Sequence, residues 1–420
     1  MRRFLVCVAM VLAMGALLLS ACSRKDTGIQ FWHAMGGPLG DTLDVMIAQY
    51  NSTHPGTEIQ SIGNANYEAL SQKIMGAVAA GQPPVLAQVY EAWTAELIEN
   101  ESIESLTDFI NGPNGLSQEE LADFLPGMLE NNTWDGVLYS VPFNKSVRAL
   151  YWNKDLFATA GLTRAPRTWA EYTDYARRLT KDQDGDGLVD QWGTAGEISA
   201  WMFENMLVQN GGSILTPDGT ATAFDRPEGV QALEFMVKLL TEYGKVTGGY
   251  EYQNDFQAGK VGMIEGSTVS LSFMQGKYTF DMATAPLPVG KQAGCLVAGT
   301  NVVIFADAPT QHKEAAWEFI RWFTSPEVTA RWAAATGYAP VRKSAMELPI
   351  MKARFGEVEG WGDVFAQFGF AGYEPRSPEW YAGRKALQEV GVESALRKQK
   401  TPAEALAAAA AAVNAELRAE

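Results

Sequence analysis

The sequence predicts an α/β protein whose core is large enough for more than one domain. Its 420 residues are 47% hydrophobic and 20% charged, a composition typical of globular chains that bury substantial apolar surface. Short β-type runs alternate with amphipathic helical runs such as DTLDVMIAQYN and YEALSQKIMGAVAAG. The first helical run carries one apolar stripe at i, i+3, i+4 and i+7, formed by Leu43, Met46, Ile47 and Tyr50. Two lobes are therefore expected.

The N-terminus has the pattern of an export signal. Two arginines precede an apolar run from Phe4 to Leu19, and the sequence LSAC follows. LSAC resembles the bacterial lipobox, so we expect residues 1–21 to be removed and Cys22 to be lipidated. A membrane-spanning helix fits less well, because the apolar run is shorter than the ~20 residues that such a helix needs.

The mature chain would then begin at a lipid anchor. Residues 22–26 would form a tether, and the protein would lie in the cell envelope, at the outer face of a bacterial membrane. Cys7 leaves with the signal and Cys22 is modified, so Cys295 is alone and no intrachain disulfide is expected.

The charge balance argues against nucleic-acid binding. Lys and Arg total 33 against 49 Asp and Glu, a formal net charge of -16. A phosphate backbone needs a basic face, so any anionic ligand must be held by a local site.

The first strand pattern ends at Trp32 and His33, directly before the turn GGPLGD and a helix. In an open α/β sheet, ligands lie beyond the carboxyl ends of the strands, where loops lead into helix N-termini. Trp32 and His33 are therefore candidate ligand-binding residues. The alternative is that Trp32 packs in the core and the glycines only form a turn.

The same alternation continues along the chain. PPVLAQVYEAW indicates a strand introduced by prolines, and GVLYSVPFNKSVRALYWNKDLFATAGL indicates two β-runs before a helix. Pro227 lies in the first turn of a predicted helix. FQAGKVGMIEGS predicts a glycine turn into a buried strand, and AEALAAAAAAVNAEL predicts a C-terminal helix.

An acidic loop, DQDGDGLVD, has the spacing of a calcium loop. Positions 1, 3, 5 and 9 are carboxylates, namely Asp182, Asp184, Asp186 and Asp190. Position 12 is Gly193, where a calcium loop has a bidentate glutamate. A structural calcium ion and an acidic turn without an ion both remain open.

Six segments occur in the order and spacing of a known family: FWHAMGGPLG, NYEALSQKI, GQPPVLAQVYE, YSVPFNKSVRALYWNKDLFATAGL, FQAGKVGMIEGS and ATGYAPVRKSA. The chain resembles the family 1 extracellular solute-binding proteins of bacterial ABC importers, especially members that bind glycerol-3-phosphate. The resemblance implies the type II two-lobed α/β fold, with hinge strands between the lobes and a ligand cleft between them.

The resemblance also implies the lobe boundaries. The chain would cross between lobes near Ser146 to Arg148, near Val297 to Thr300 and near Ser325. The N-terminal lobe would contain residues 27–147 plus 296–324. The C-terminal lobe would contain residues 148–295 plus 325–420.

On this resemblance, Tyr67 and Glu91 match positions that hydrogen-bond polyol hydroxyls. Ser146 lies at the first crossing, and Trp201 matches an apolar wall. An aromatic face against the C–H groups and a fixed array of polar groups suit a polyol ligand.

Three further matched residues hold the phosphate or its neighbours in the family, namely Ser267, Gly299 and Tyr338. Thr300 follows Gly299, and Arg376 is the candidate for the arginine of the phosphate site. A phosphate needs hydroxyls, backbone N–H groups and an arginine fork.

The resemblance implies a monomeric binding protein that passes a small polyol, sugar or sugar-phosphate ligand to ABC permease subunits. No cofactor is required. Glycerol-3-phosphate or a glycerophosphodiester is the first ligand hypothesis. Lys145 and Arg148 stand where the family's glycerol-phosphate binders are uncharged, so a neutral sugar or oligosaccharide is the alternative.

Two other classes of function stay open on the residues alone. A secreted glycosidase would need two carboxylates across a scissile bond, which abundant acidic residues do not by themselves indicate. An adhesin or structural lipoprotein would explain the anchor and not the cleft motifs. The sequence has no P-loop, GxSxG or HExxH motif, so we predict that it is not an enzyme.

We predict that Cys22 carries the membrane anchor. The change Cys22→Ala should release soluble or unprocessed protein, because the lipidated thiol is lost. Membrane fractionation with acyl labelling measures this, and unchanged membrane retention together with unchanged labelling would contradict the prediction.

Overall fold

The structure is a computed structural model that describes residues 28–418, which form two lobes, each built on a mixed β-sheet. The strands are, in chain order, β1 (Ile29–His33), β2 (Ile59–Gly63), β3 (Leu86–Val89), β4 (Thr133–Trp134), β5 (Val137–Leu138), β6 (Val141–Ser146), β7 (Arg148–Asn153), β8 (Trp192–Glu197), β9 (Gly244–Thr247), β10 (Val261–Ser267), β11 (Met282–Ala285), β12 (Leu296–Ile304) and β13 (Gly372–Tyr373).

Helices surround both sheets. They are, in chain order, α1 (Pro38–Thr53), α2 (Tyr67–Ala79), α3 (Glu91–Glu99), α4 (Thr107–Asn111), α5 (Gln118–Ala122), α6 (Lys154–Thr159), α7 (Trp169–Leu179), α8 (Ala200–Gln209), α9 (Pro227–Glu242), α10 (Glu251–Gln257), α11 (Ser270–Met274), α12 (Thr310–Phe323), α13 (Pro326–Thr336), α14 (Lys343–Met346), α15 (Pro349–Glu357), α16 (Trp361–Ala366), α17 (Trp380–Ala386), α18 (Glu393–Leu396) and α19 (Pro402–Glu416). A π-helical segment, Leu387–Val392, joins α17 to α18.

The first sheet has the order β13-β12-β3-β1-β2, and β6 also pairs with β12. The second sheet has the order β11-β7-β10-β8-β9. In the first sheet, β1 is parallel to β2 and β3, whereas β12 is antiparallel to β3 and β6. The alternating pattern of the sequence thus gives α/β layers, as predicted.

Local signals place several helices where the sequence predicts them. The apolar stripe of α1 is buried, and α9 begins at Pro227. The alanine-rich C-terminal segment forms α19, which begins with a capping box between Thr401 and Glu404. These three helix predictions are confirmed.

The chain passes from the first sheet to the second at a single residue, Val147. Ser146 ends β6, where it lies opposite Ala298, and Arg148 begins β7, where it lies opposite Ser267. Because only one residue separates two strands of different sheets, the ends of the two strands must lie close together at this crossing. The residues at these strand ends form the floor between the lobes.

The predicted crossing at Ser325 is wrong, because α13 packs on α1 in the first lobe. Arg331 donates from Nη1 to Oε1 of Gln49 at 2.7 Å, a contact between these two helices. Trp332 of α13 stacks on Phe143 of β6 with 5.7 Å between ring centroids. The assignment of 325–420 to the second lobe therefore fails at its start, since burial of this apolar face holds α13 to the first lobe.

The tail of the chain does reach the second lobe. Helix α19 packs against α9, α17 and the π-helical segment, and α16 lies on β11. The amide of Thr284 in β11 donates to the carbonyl of Glu359 at 2.8 Å, just before α16.

Within residues 28–418, no helix combines the length and the apolar character that crossing a membrane requires. The expected signal 1–21, the lipidation site Cys22 and the tether 22–26 lie outside the described residues. Cys295 is described, and it is a buried free thiol at 1% exposure.

We predict that Gly299→Ala destabilises the protein strongly. Gly299 has φ 118°, and a Cβ there would lie 1.8 Å from the carbonyl oxygen of Asn144. Backbone strain and this clash together should lower the free energy of unfolding by about 3 kcal/mol or more. Urea denaturation followed by circular dichroism measures the change.

The matched control is Gly56→Ala, because Gly56 also has a positive φ of 91° but has nothing within 4 Å of the added Cβ. This variant should lose only about 1 kcal/mol. Equal losses in the two variants would show that the close approach at Gly299 does not matter.

Candidate functional site

The first-lobe side of the cleft is built around Asn144, on β6. Its Nδ2 donates to the hydroxyl of Tyr67 at 3.1 Å, and its Oδ1 accepts from the backbone N of Thr300 at 3.0 Å. Gln88 also lies near the Tyr67 hydroxyl, at 3.5 Å from Nε2. The structure therefore brings the predicted residues Tyr67 and Thr300 together through an amide that the sequence analysis missed.

Tyr338 joins this group. Its ring stacks on Trp332 with 5.7 Å between centroids, and its hydroxyl interacts with Asn144 and Tyr67. Burial raises the pKa of Tyr67 and raises that of Tyr338 well above the usual range, so both phenols stay protonated and can donate. The backbone N of Ala339 donates to the carbonyl of Lys145, which ties Tyr338 to the first lobe.

Glu91 begins α3 at the same edge of the first sheet. Its Oε1 accepts from Nζ of Lys145 at 2.7 Å and from Nδ2 of Asn131 at 2.8 Å. The Lys145 side chain is only 1% exposed, and it also reaches the carbonyl of Gly299 at 3.5 Å. The Glu91 charge is thus compensated by a buried lysine, which limits its freedom to accept from a ligand.

Arg148 occupies the second-lobe side of the crossing and is fully buried. Its Nη1 lies 3.4 Å from Oε1 of Glu197, and its Nε lies 3.7 Å from Oε2 of Glu265. Burial raises the pKa of Glu265 to about 7, against the opposing effect of the Arg148 charge. Trp201, at the start of α8, lies over the guanidinium at 5.2 Å and donates from Nε1 to the carbonyl of Leu296 at 3.1 Å.

Two predicted serines flank the crossing. Ser146 is 5% exposed at the end of β6, and Ser267 is at the end of β10, opposite Arg148. The Oγ of Ser267 accepts from the backbone N of Val269 at 3.2 Å. These serines and Gly299 therefore lie next to the Lys145 and Arg148 ion pairs at the floor of the cleft.

Arg384, on α17, is a second arginine at this cleft. Its Nε lies 2.9 Å from Oε2 of Glu374, with which it forms an ion pair. Among residues 28–418, its Nη1 and Nη2 make no hydrogen bond of normal geometry to another group. Its charge acts on the phenols of Tyr90 and Tyr250. Arg384 therefore offers two donor nitrogens beside cleft tyrosines.

Aromatic rings line the rim where the lobes meet. Tyr90 lies 5.0 Å from Tyr67, between ring centroids. Tyr381 of α17 contacts Trp93 of α3 edge-on at 5.3 Å and lies 6.3 Å from Tyr90. Because α17 packs on the second-lobe helix α19 and α3 belongs to the first lobe, these rings bridge the lobes.

The structure does not place Trp32 and His33 in the cleft. Trp32 packs in the core under α2 and donates from Nε1 to Gln30 at 2.9 Å. Both ring nitrogens of His33 are used inside the lobe, with Nε2 2.8 Å from Ser61 Oγ and Nδ1 accepting from the backbone N of Met35. Burial lowers the pKa of His33 to about 4, so the ring is neutral. The core alternative considered for Trp32 is the one the structure supports.

Arg376 is likewise outside the cleft. Its Nη1 donates to the carbonyls of Glu130 and Thr133, and its guanidinium lies 5.1 Å from the ring of Trp134. These contacts hold the segment after β13 against the first lobe. Arg384 lies eight residues further along the chain, on the next helix.

Three of the four aspartates of the acidic loop come together. Oxygens of Asp182, Asp184 and Asp190 lie within 4.8 Å of one another, and all three side chains are exposed. Asp186 is not part of this group, and each of the four aspartates accepts from a backbone N of the loop, Asp186 from Leu188 at 2.7 Å. Gly193 is buried in β8, where a Cβ would lie 1.9 Å from the carbonyl of Ala176, so a glutamate ligand cannot stand there.

Two α/β lobes that meet over a polar, tyrosine-lined cleft define a protein that holds a small ligand between its lobes. The chain belongs to the bacterial extracellular solute-binding protein family, whose model matches residues 45–354. The matched range includes the floor of the cleft, but Arg384 and Glu374 lie beyond it.

Two relatives of the chain are named for glycerol-3-phosphate. It is 27% identical over 368 residues to the sn-glycerol-3-phosphate-binding periplasmic protein UgpB of Pectobacterium atrosepticum, a match that covers 83% of this chain and 80% of the relative. It is 28% identical over 356 residues to UgpB of Escherichia coli K12, covering 81% of this chain and 80% of the relative.

Solved structures agree on the two-lobed fold and differ in ligand. UgpB from Mycobacterium tuberculosis in complex with glycerophosphocholine has a TM-score of 0.80 at 21% identity, covering 93% of this chain and 98% of that one. The cyclic alpha-maltosyl-1,6-maltose binding protein from Arthrobacter globiformis has a TM-score of 0.77 at 23% identity, covering 94% and 100%. The predicted type II fold is confirmed.

We propose that the acidic loop binds one calcium ion through Asp182, Asp184 and Asp190. Oxygen ligands at this spacing suit a hard cation. Added calcium should raise the melting temperature and chelator should lower it, because the ion binds the folded loop. Asp184→Asn is expected to remove the calcium response, and Asp108→Asn, at an exposed carboxylate elsewhere, to keep it. A melting curve indifferent to calcium and chelator would contradict the proposal.

Proposed function

We propose that this chain captures glycerol-3-phosphate or a glycerophosphodiester in the cleft and delivers it to the permease of an ABC importer. Membership of the solute-binding family gives the general role, and the relatives named for glycerol-3-phosphate favour this ligand class. The observation that carries the proposal is Arg384, a cation at the cleft whose Nη1 and Nη2 make no hydrogen bond of normal geometry within residues 28–418.

The other cations at the cleft support this assignment. Lys145 is paired with Glu91, and Arg148 is paired with Glu197 and Glu265. Their charges are already balanced by buried or nearly buried carboxylates, so they add little net attraction for an anion. Arg384 keeps one ion pair on the Nε side and presents a planar fork, the geometry that binds a phosphate through two parallel hydrogen bonds.

The polar group around Asn144 would bind the glycerol part. The hydroxyls of Tyr67 and Tyr338 and the amide of Asn144 form a fixed array that can exchange hydrogen bonds with polyol hydroxyls. Trp201 and Tyr90 would face the C–H groups, as aromatic side chains do in sites for polyols and sugars.

A neutral sugar or oligosaccharide is the second candidate. The rings of Tyr90 and Tyr381 at the rim favour it, because an aromatic face suits a pyranose ring and Tyr381 is exposed. Structural neighbours that bind maltose-type ligands have the same fold, which shows only that the fold permits such a ligand.

We further propose that the chain works as a lipid-anchored monomer outside the cytoplasmic membrane. The family description and the periplasmic relatives support an extracytoplasmic role. The lipid anchor at Cys22, the monomeric state and delivery to permease subunits are expectations from the sequence. The relatives are named as binding proteins, which favours capture over catalysis.

We predict that Arg384→Ala weakens the binding of sn-glycerol-3-phosphate by at least ~tenfold, because a charge-assisted fork is lost. The matched control is Arg376→Ala, whose guanidinium is bound to backbone carbonyls of the first lobe, and it should stay within ~threefold of wild type. Isothermal titration calorimetry at pH 7 measures both affinities, with sn-glycero-3-phosphocholine and maltose as the comparison ligands.

Binding of maltose without binding of either phosphate ligand would favour the neutral-sugar candidate. Equal affinity of Arg384→Ala and wild type for sn-glycerol-3-phosphate would show that a group other than Arg384 binds the phosphate. A larger loss in Arg376→Ala than in Arg384→Ala would restore the arginine chosen from the sequence.

A further inference from the structure

Glu204 is a buried carboxyl group to which no N–H group of residues 28–418 donates a hydrogen bond. It lies on α8, three residues after Trp201, and its exposure is 0%. Its carboxyl lies beside that of Glu374, to which its protonated form can donate. Buried polar atoms are nearly always paired, so a carboxyl left in this way at a cleft requires an explanation.

A second buried polar atom without a hydrogen bond lies beside it. The Nε of Arg384 makes no hydrogen bond of normal geometry, although it is 2.9 Å from Oε2 of Glu374. It lies 4.0 Å from Oε1 of Glu204. A movement of about 1 Å would bring Nε within hydrogen-bond distance of Glu204. The Nε of Arg384 thus has two carboxyl groups within reach.

Burial favours the neutral form of Glu204. Burial raises its pKa well above the usual range, and the charge of Glu374 raises it further, while Arg384 acts in the opposite direction. A protonated carboxyl still offers an acceptor oxygen to Nε, so it can receive the arginine without adding a second negative charge.

The chain around Arg384 has a point at which α17 can adjust. The π-helical segment Leu387–Val392 follows α17 directly, and π segments mark places where the helical hydrogen-bond register is irregular. Oε1 of Gln388, in this segment, accepts from the backbone N of Ala200 at 3.3 Å, at the first residue of α8. The helices that carry Arg384 and Glu204 are thereby connected.

We propose that Glu204 is a positioning residue that accepts a hydrogen bond from Nε of Arg384 when Nη1 and Nη2 turn to the anionic group of a ligand. This inference rests on the proposed capture of a phosphorylated polyol. Glu374 and Glu204 are then alternative hydrogen-bond acceptors for Nε of the same guanidinium. Nε bonds to Glu204 when a ligand is bound.

The test compares Glu204→Leu, Glu204→Gln and the control Met206→Leu, a buried and nearly volume-conserving change on the same helix. In Glu204→Leu the melting temperature of the protein without added ligand should rise, because a buried carboxyl that lies beside a second carboxyl group is replaced by an apolar side chain. Its affinity for sn-glycerol-3-phosphate should fall at least ~tenfold, because the acceptor for Nε is lost.

The variant Glu204→Gln should bind within ~threefold of wild type, because its carboxamide oxygen still accepts from Nε. Met206→Leu should bind as wild type does. Differential scanning fluorimetry and isothermal titration calorimetry supply the two measurements. If Glu204 had only a structural role, the affinity of Glu204→Leu would rise or fall with its melting temperature, or would not change.

Wild-type affinity in Glu204→Leu would overturn this inference alone, since wild-type binding would still support the proposed function. A loss in Glu204→Gln as large as in Glu204→Leu would also overturn it. If the wild-type protein binds neither sn-glycerol-3-phosphate nor sn-glycero-3-phosphocholine, the proposed function and this inference fail together.

Discussion

The cleft depends on two buried cations that flank Val147, the residue at which the chain passes between the sheets. Lys145 is 1% exposed and Arg148 is 0% exposed, and a buried charge without a partner would be strongly destabilising. Glu91 must therefore come from the edge of the first sheet, and Glu197 and Glu265 from the strands of the second. The requirement to pair these charges brings the two lobes' polar residues to one floor.

Because of this pairing, the charges of Lys145 and Arg148 are neutralised by protein carboxylates and are not available to a ligand. A floor made of paired ions has directional donors and acceptors but little net charge, which suits hydroxyl groups more than a phosphate. On the proposed function, recognition of an anion falls to a cation held from another element, namely Arg384 on α17. That proposal assigns the polyol and the phosphate to different layers of the same cleft.

The sequence predicted the features that depend on local periodicity. The stripe of α1, the start of α9 and the capped C-terminal helix follow from spacing and turn chemistry within one segment. Arg384 could not be found in this way, because its surroundings come from Glu374 and from Glu204, which is 180 residues away. The family resemblance led to Arg376 instead, whose guanidinium donates to backbone carbonyls, and such contacts cannot be recognised in the sequence.

Trp32 and His33 also show that local sequence does not determine the surroundings of a side chain. Their place at a strand end was predicted correctly, since β1 ends at His33. Which face of the strand each side chain occupies depends on α2 and on Ser61, and these neighbours bury both residues within the lobe. Asn144 was missed because an amide in a buried strand has no distinctive spacing, although Tyr90 could have been found beside Glu91.

The ring contact of Tyr381 with Trp93 has a kinetic consequence. Any solute that enters or leaves by this rim must separate a pair of aromatic rings that belong to different lobes, at a cost of about 0.5–1.5 kcal/mol beyond the buried area. Such a contact raises the barrier for entry and for exit alike. The rim therefore governs how fast solute exchanges, and it can slow both directions several-fold while the equilibrium occupancy stays the same.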